Sequence, residues 1–376
     1  MHIRITRAAL VRELTLLHGV VDRKVTIPIL SRVLLTAWAK GHISIAATNL
    51  SDSLLADAIE AEVLVSGQVA LPADLLLSIA RVVPDGLIEL EATAKSSHCE
   101  LTSGNTKVRL PLMDPRDFPQ LPNAPETLVT VPAGELRELL RQTRYAAPTS
   151  SLGTYINGIL VELDSSIRLV ALDGHRLGMS YRTLAVPATT PQKFILPVRA
   201  SAALDAMLAE ADAEEPVSIS SSENVVCFRC EQRLFTARLL EAKFPAYASI
   251  LKRMKHTTVV DVDREGLLQA LKRLATVVTK EHQAVLLDMR DGHIFLELDT
   301  ATGRATDQVL VDIQGEPAQV RVNLAYAVEF LSLMAADAMK IGNCPEGRVL
   351  ELGPVEPGVT CVLGTVAPPA SSRAAA

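Results

Sequence analysis

AALVRELTLL at Ala8–Leu17, GELRELLRQT at Gly134–Thr143 and EGLLQALKRL at Glu265–Leu274 read as one helix written three times. Leu10, Leu136 and Leu267 hold equivalent places, as do Leu14, Leu140 and Leu271. Leucines four residues apart share a helix face, so each copy packs one face onto neighbouring structure. A second helix follows further along each copy: LPADLLLSIARVV from Leu71, LPVRASAALDAML from Leu196 and VNLAYAVEFLSLM from Val322. The first two copies also close alike, on Phe118-Pro119 and Phe244-Pro245. A unit recurring every 125 or so residues, about the size of one domain, points to a modular, curved or ring-like scaffold.

Between the helices the pattern changes period. HISIAAT (His42–Thr48), IRLVAL (Ile167–Leu172) and HIFLEL (His293–Leu298) alternate as strands with one buried face. Asn49 and Asp173-Gly174 mark turns after the first two. Each repeat therefore reads strand, helix, several strands, helix, several strands, an α+β plan with antiparallel sheets. The expected domains are 1–125, 126–254 and 255–368, with a disordered tail at 369–376. Pro115, Pro119, Pro122 and Pro125 make the first connection extended. The second connection follows Pro245 and runs through the basic stretch Lys252–His256.

Composition narrows the classes. The chain has 376 residues, too many for one ordinary core, and 48% apolar residues, which fits well-buried domains. Aromatic residues are only 3%, so the cores must be aliphatic, with Trp38 in or partly in one of them. Every long apolar stretch carries charge, as Glu329 and Asp337 do in Leu324–Met339, which argues against a membrane span. The opening MHIRITRAAL has no apolar core of a secretory signal, so a cytoplasmic protein is expected. Five cysteines, an odd number, read as reduced thiols.

The net charge of −6 opposes bulk binding to nucleic acid, yet the positive charge is not spread evenly. Arg137, Arg141 and Arg144 share one face of the second copy of the first helix. Arg7 and Arg12 mark that helix in the first copy, and Arg264, Lys272 and Arg273 mark it in the third, with Lys280 just beyond. For a single helix the plain reading is a solvated face with internal Glu–Arg pairs. Recurrence in three copies points instead to a lining that faces phosphates without reading sequence.

Catalytic readings are poorly supplied. Asp173 and His175 have no Ser or Cys nucleophile nearby in sequence and read as a structural turn. Cys227-x-x-Cys230 lacks a second ligand pair for zinc, and Cys99 and Cys361 read as core thiols. Asp261 and Asp263 could hold a nuclease metal, but they precede a helix, where carboxylates serve capping and the dipole. No phosphate-cradling G-x-x-x-x-G-K-[ST] loop is present. No enzyme activity, cofactor or metal is expected.

The longer motifs carry a resemblance. TIPILSRVLL (Thr26–Leu35), LPADLLLSIARVVPDG (Leu71–Gly86), DFPQLP (Asp117–Pro122), YINGILVEL (Tyr155–Leu163), LDGHRLGMS (Leu172–Ser180) and KFPAYASIL (Lys243–Leu251) occur in collinear order. In these the chain resembles the bacterial DNA polymerase III beta subunit family, the beta sliding clamps. The resemblance implies three DNA-clamp domains, each of two helices plus antiparallel sheets, forming half of a six-domain homodimeric ring. It implies that the ring encircles duplex DNA without sequence preference and tethers the DNA polymerase III catalytic subunit. Other polymerases and repair proteins would bind through short peptide motifs, and a separate ATP-driven clamp loader would open the ring.

Carried over by position, the DNA-contacting residues implied are Lys24, Tyr155 and Arg199, and Arg137 and Arg141 join them from the shared helix face read above. Here Gly153 and Thr154 stand where the family has an arginine and a first tyrosine. The implied peptide pocket comprises Ile156, Leu172, Gly174, His175, Arg176, Leu177, Pro245, Ser249 and Ile250, closed from the C-terminus by Val362 and Leu363. The family's Met-Pro-Met-Arg ending is replaced by Val362–Val366, Leu172 replaces a common Thr, and Ser249 replaces a common Arg. These departures raise an alternative: a specialised clamp paralogue with a retuned pocket, serving a dedicated repair polymerase or drug resistance.

Overall fold

Among the described residues, six strands run without a loop straight into helices. The computed structural model, which describes residues 1–21, 27–39, 41–93, 96–148, 157–301, 303–355 and 357–367, repeats this junction twice per copy. His2–Thr6 enters α1 (Arg7–Leu17), Gly67–Pro72 enters α2 (Ala73–Val82), Thr127–Pro132 enters α3 (Ala133–Arg144) and Gln192–Pro197 enters α4 (Val198–Leu208). After a short α5 (Tyr247–Arg253), Thr258–Asp263 enters α6 (Arg264–Leu274) and Ala318–Asn323 enters α7 (Leu324–Leu333).

The residue at each junction explains the switch. Thr6, Asp263 and Asn323 have extended backbone, and their side-chain oxygens accept from the N–H of Ala9, Gly266 and Tyr326. These are N-caps, each satisfying a donor that the first turn leaves unpaired. At the other three junctions stands proline: Pro72, Pro132 and Pro197. Proline fixes φ near that of Pro72, −63°, and ends the strand's ladder by lacking an N–H. The second helices thus begin two residues later than the quoted stretches, because Leu71-Pro72, Leu196-Pro197 and Val322-Asn323 still complete strands.

The strand, helix, strands, helix, strands order is seen in all three copies, and the equivalent leucines are buried in each. Leu10, Leu136 and Leu267 are 0%, 2% and 1% exposed. Burying each such side chain contributes about 1.5–3 kcal/mol. The cores are aliphatic as expected, with Phe235 and Phe330 as fully buried exceptions.

The chain falls into two compact units: Met1–Arg137 with Ala188–Thr190 and Arg199–Leu240, and Glu138–Pro187 with Pro191–Val198 and Glu241–Ala376. The middle copy is divided between them because its sheets are shared. In the first unit, Arg233–Arg238 of the middle copy pairs antiparallel with Asp52–Glu60, continuing one sheet to eight strands. A five-stranded sheet, from Glu62–Val65 to Thr106–Pro111, completes that unit. In the second unit, Arg176–Thr183 pairs with Val359–Gly364 inside a nine-stranded sheet, accompanied by a four-stranded one. There α6 and α7 pack Leu267, Leu271 and Phe330 into one cluster with Met339 and Leu352.

Two expectations need correction. Trp38 is not a core residue: it ends the strand Arg32–Trp38, is 48% exposed, and stacks on His42 across the strand pair. The connection after Pro245 is not plain linker, since α5 forms there. Tyr247 fixes this short helix by burying its ring and donating its hydroxyl to Glu162 at 2.7 Å.

Candidate functional site

The turn between the strands Ser166–Leu172 and Arg176–Thr183 is built by one carboxylate. Asp173 Oδ1 accepts the backbone N–H groups of His175 and Arg176, both at 2.9 Å. Gly174 takes φ +90°, a conformation that glycine adopts without steric cost. Asp173 and His175 are therefore a turn and its exposed edge, as the sequence reading had them.

Arg176 turns inward from this corner, with its side chain only 7% exposed. Its Nε donates to Asp173 Oδ2 at 3.1 Å and its Nη1 to Glu329 Oε2 at 2.5 Å. The guanidinium carbon lies 4.2 Å from the centre of the Tyr326 ring and 5.4 Å from that of Tyr145. Burial alone would weaken its charge, but Glu329 and Asp173 outweigh it and raise the pKa further. Such a paired, ring-stacked arginine locks the turn against α7.

The C-terminal strand lies beside this corner. Arg176 is opposite Leu363 and Leu177 opposite Val362, while Gly364 N–H donates to His175 O at 2.7 Å. Gly364 in turn faces Val349 on the next strand. A row of neighbouring strand ends thus runs from His175 through Gly364 to Val349. Val349 borders a groove of about 630 Å³ that also takes in Ser249, Ile250, Met254, Glu346 and Gly347. Lys252, Arg253 and Lys255 complete its lining.

The expected pocket residues hence fall into two linked sets. Arg176, Leu177, Val362 and Leu363 are strand neighbours, with His175 in the turn beside them; Ser249 and Ile250 line the groove one strand beyond. Gly174, His175, Ser249 and Ile250 are exposed, Pro245 is half-buried, and Leu172, Leu177, Val362 and Leu363 are buried. Ile156 lies outside the described residues. Sequence reasoning missed Tyr145, Tyr326 and Glu329, which no local pattern ties to Arg176. It also missed the groove's cations, although the basic stretch itself was visible.

The expected DNA-contacting residues sit as follows. Arg141 is exposed and has no ion-pair partner among the described residues. Arg137, on the same face of α3, pairs with Asp205 at 3.0 Å. Arg199 opens α4, 58% exposed, with Nε 3.7 Å from the buried Asp52. Lys24 and Tyr155 lie outside the described residues. The recurring arginines that open α1 and α6 have a different task. Arg7 donates to the carbonyls of Ala80 and Arg81 at 2.9 and 2.7 Å, where α2 ends. Arg264 donates to those of Ala336 and Leu331 at 3.0 and 3.4 Å, where α7 ends. Their recurrence reflects a helix-end cap, since the last carbonyls of a helix lack partners within it. Arg12 and Arg273 are likewise paired, with Glu13 and Asp307.

Residues 1–122, 130–246 and 253–348 match, in order, the family models of the N-terminal, central and C-terminal domains of the DNA polymerase III beta subunit. The chain belongs to the DNA polymerase III beta subunit family. It is 29% identical over 372 residues to the beta sliding clamp of Caulobacter vibrioides, covering 96% of this chain and 99% of that one. The solved clamp from Caulobacter crescentus is 28% identical, with a TM-score of 0.88 over 98% of this chain and 100% of that one. A Pseudomonas aeruginosa sliding clamp bound to griselimycin is 25% identical, with a TM-score of 0.90 and coverage of 98% and 100%. This beta subunit homologue has the three domains that the repeats predict, and they are the clamp domains that the resemblance implies. Its family is one of non-catalytic processivity factors, so it is not an enzyme. Asp263, the second carboxylate of the D-x-D considered above, caps α6 by accepting from Gly266 N–H at 2.6 Å.

Proposed function

We propose that this chain is a sliding clamp that encircles duplex DNA and holds DNA polymerase III and other DNA-processing proteins to it. The observation that carries this is the match of three consecutive clamp-domain models along one chain. Two copies joined head to tail make a closed ring of six domains, because a repeated heterologous interface ends when the rotation closes. Domains at 1–125, 126–254 and 255–368 supply the three parts of each half. The ring retains DNA by topology, so individual contacts can stay weak. Arg137, Arg141 and Arg199, with Lys24 and Tyr155, touch backbone, which carries no register, and the ring slides.

Partners bind through short peptides at the surface around His175, Arg176, Leu177, Ser249 and Ile250, joined by Ile156, Leu172, Gly174, Pro245, Val362 and Leu363. Tethering makes each partner's return to DNA an intramolecular event at high effective concentration. Partners include the polymerase III catalytic subunit, other polymerases and repair proteins, and the ATP-driven loader that opens the ring. No helix among the described residues is long and apolar enough to cross a membrane, and we place the protein in the cytoplasm. The dedicated-paralogue alternative is not favoured, because the relatives matched over nearly the whole chain are beta sliding clamps.

The decisive test is topological. Loaded onto nicked circular duplex by a clamp loader and ATP, the protein should co-elute with DNA in high salt and be released when the circle is linearised. Equal retention on circular and linear DNA would point to ordinary surface binding and defeat the proposal.

A further inference from the structure

The groove bounded by α5, the turn at 345–348 and Val349 carries a charge balance opposite to that of the chain. Three exposed cations, Lys252, Arg253 and Lys255, line it against one carboxylate, Glu346, in a protein of net charge −6. None of the three cations has an ion-pair partner among the described residues. Cations in the last turn of a helix are favoured by its dipole, which accounts for Lys252 and Arg253. It does not account for Lys255, past the helix, or for the side chains sharing one groove. Between the charges the walls are apolar. Ile250 is 42% exposed, and Met254 and Val349 are half-buried. Methionine at such a place adapts to differing apolar guests.

We propose that this groove extends the peptide site and selects partner segments in which acidic residues flank the apolar anchor. The inference rests on the peptide-site reading above, with which the groove shares Ser249 and Ile250. Apolar side chains seat against Ile250, Met254 and Val349, while flanking carboxylates meet the three cations. The apolar walls and Glu346 fit a peptide better than the phosphate backbone of DNA. Complementary charge at such a rim adds selectivity and speeds encounter more than it adds affinity.

The test uses the full-length protein and two labelled peptides that share one generic apolar clamp-binding segment, flanked either by three Asp or by three Asn. Fluorescence anisotropy should show the Asp peptide binding about tenfold tighter at low salt, with the advantage shrinking as salt rises. The variant Lys252→Gln/Arg253→Gln/Lys255→Gln should bind both peptides alike, with the Asn peptide unchanged. That unchanged binding also shows that the variant is folded. Equal affinity of the wild type for the two peptides, both lost in Ile250→Asp, would leave the peptide site standing and overturn the charge selection. Binding of neither peptide would overturn both readings. If the triple variant instead lost affinity for a short DNA duplex and kept the peptide preference, the groove would be a DNA contact and the proposal wrong.

Discussion

Glu13 is a charged residue held in the interior. Its side chain is 2% exposed on α1 and meets Arg233, also buried, through two hydrogen bonds of 2.7 and 2.9 Å. Arg12 adds a third at 2.8 Å. Burial pushes the Glu13 carboxyl up, but Arg233 and Arg12 together outweigh it and hold the pKa below the ordinary value of 4.5. A depressed carboxylate stabilises the fold at pH above its unfolded pKa and stops doing so as pH falls through the folded value. The difference in urea stability between wild type and Glu13→Gln should therefore be full at pH 7 and fade below about pH 4. Glu13→Ala should cost about 3 kcal/mol at pH 7, at the low end for a broken buried pair because Glu231 still faces Arg233. A thermal melt unchanged by Glu13→Ala would show that the pair contributes nothing.

At the scale of the element, α6 separates two kinds of stabilisation. Asp263→Ala removes the cap on Gly266 N–H and should cost about 1 kcal/mol. Leu271→Ala leaves a hole beneath a residue 1% exposed and should cost about 2–5 kcal/mol. Chemical denaturation of the two variants should keep that order, and the reverse would mean that the cap holds more than its own turn. Leu271 was legible from its spacing alone, and Asp263 from its place before the helix, because both effects act within a few residues. The short α5 was not legible. Its fixing contact runs from Tyr247 to Glu162, which also gathers Lys193 and Arg168. No local pattern announces a partner so distant in sequence.

For the whole molecule, the thiols report on cooperative opening. All five cysteines are free and buried. Burial pushes Cys361 up to about 12 and Cys99, Cys230 and Cys344 up to about 11. Thiolate is the reactive form, so a disulfide reagent at pH 8 should label none of the native thiols within minutes and all five in denaturant. Rapid labelling of one would expose a locally loose strand. Charge acts on the same scale. If Arg137 and Arg141 face DNA, replacing both with Ala should weaken duplex binding on every sequence alike. It should also reduce the slope of log affinity against log salt by about 1–2. An unchanged slope would remove them from the DNA surface.

The sequence by itself determined the threefold plan. Leucine spacing, strand alternation and the Thr, Pro, Asp and Asn junctions are short-range effects, written within a few residues of where they act. Tertiary structure decided what charged and terminal residues do. Arg7 and Arg264 open their helices much as a phosphate-facing arginine would, yet helix ends more than sixty residues away claim their hydrogen bonds. Val362 and Leu363 come to lie beside Arg176 and Leu177 only because the last strand pairs there. The groove exists only where α5 meets the turn at 345–348 and the strand start at Val349. A side chain's period is written along the chain, whereas its hydrogen-bond and charge partners are chosen by whichever distant segments packing brings within about 3 Å.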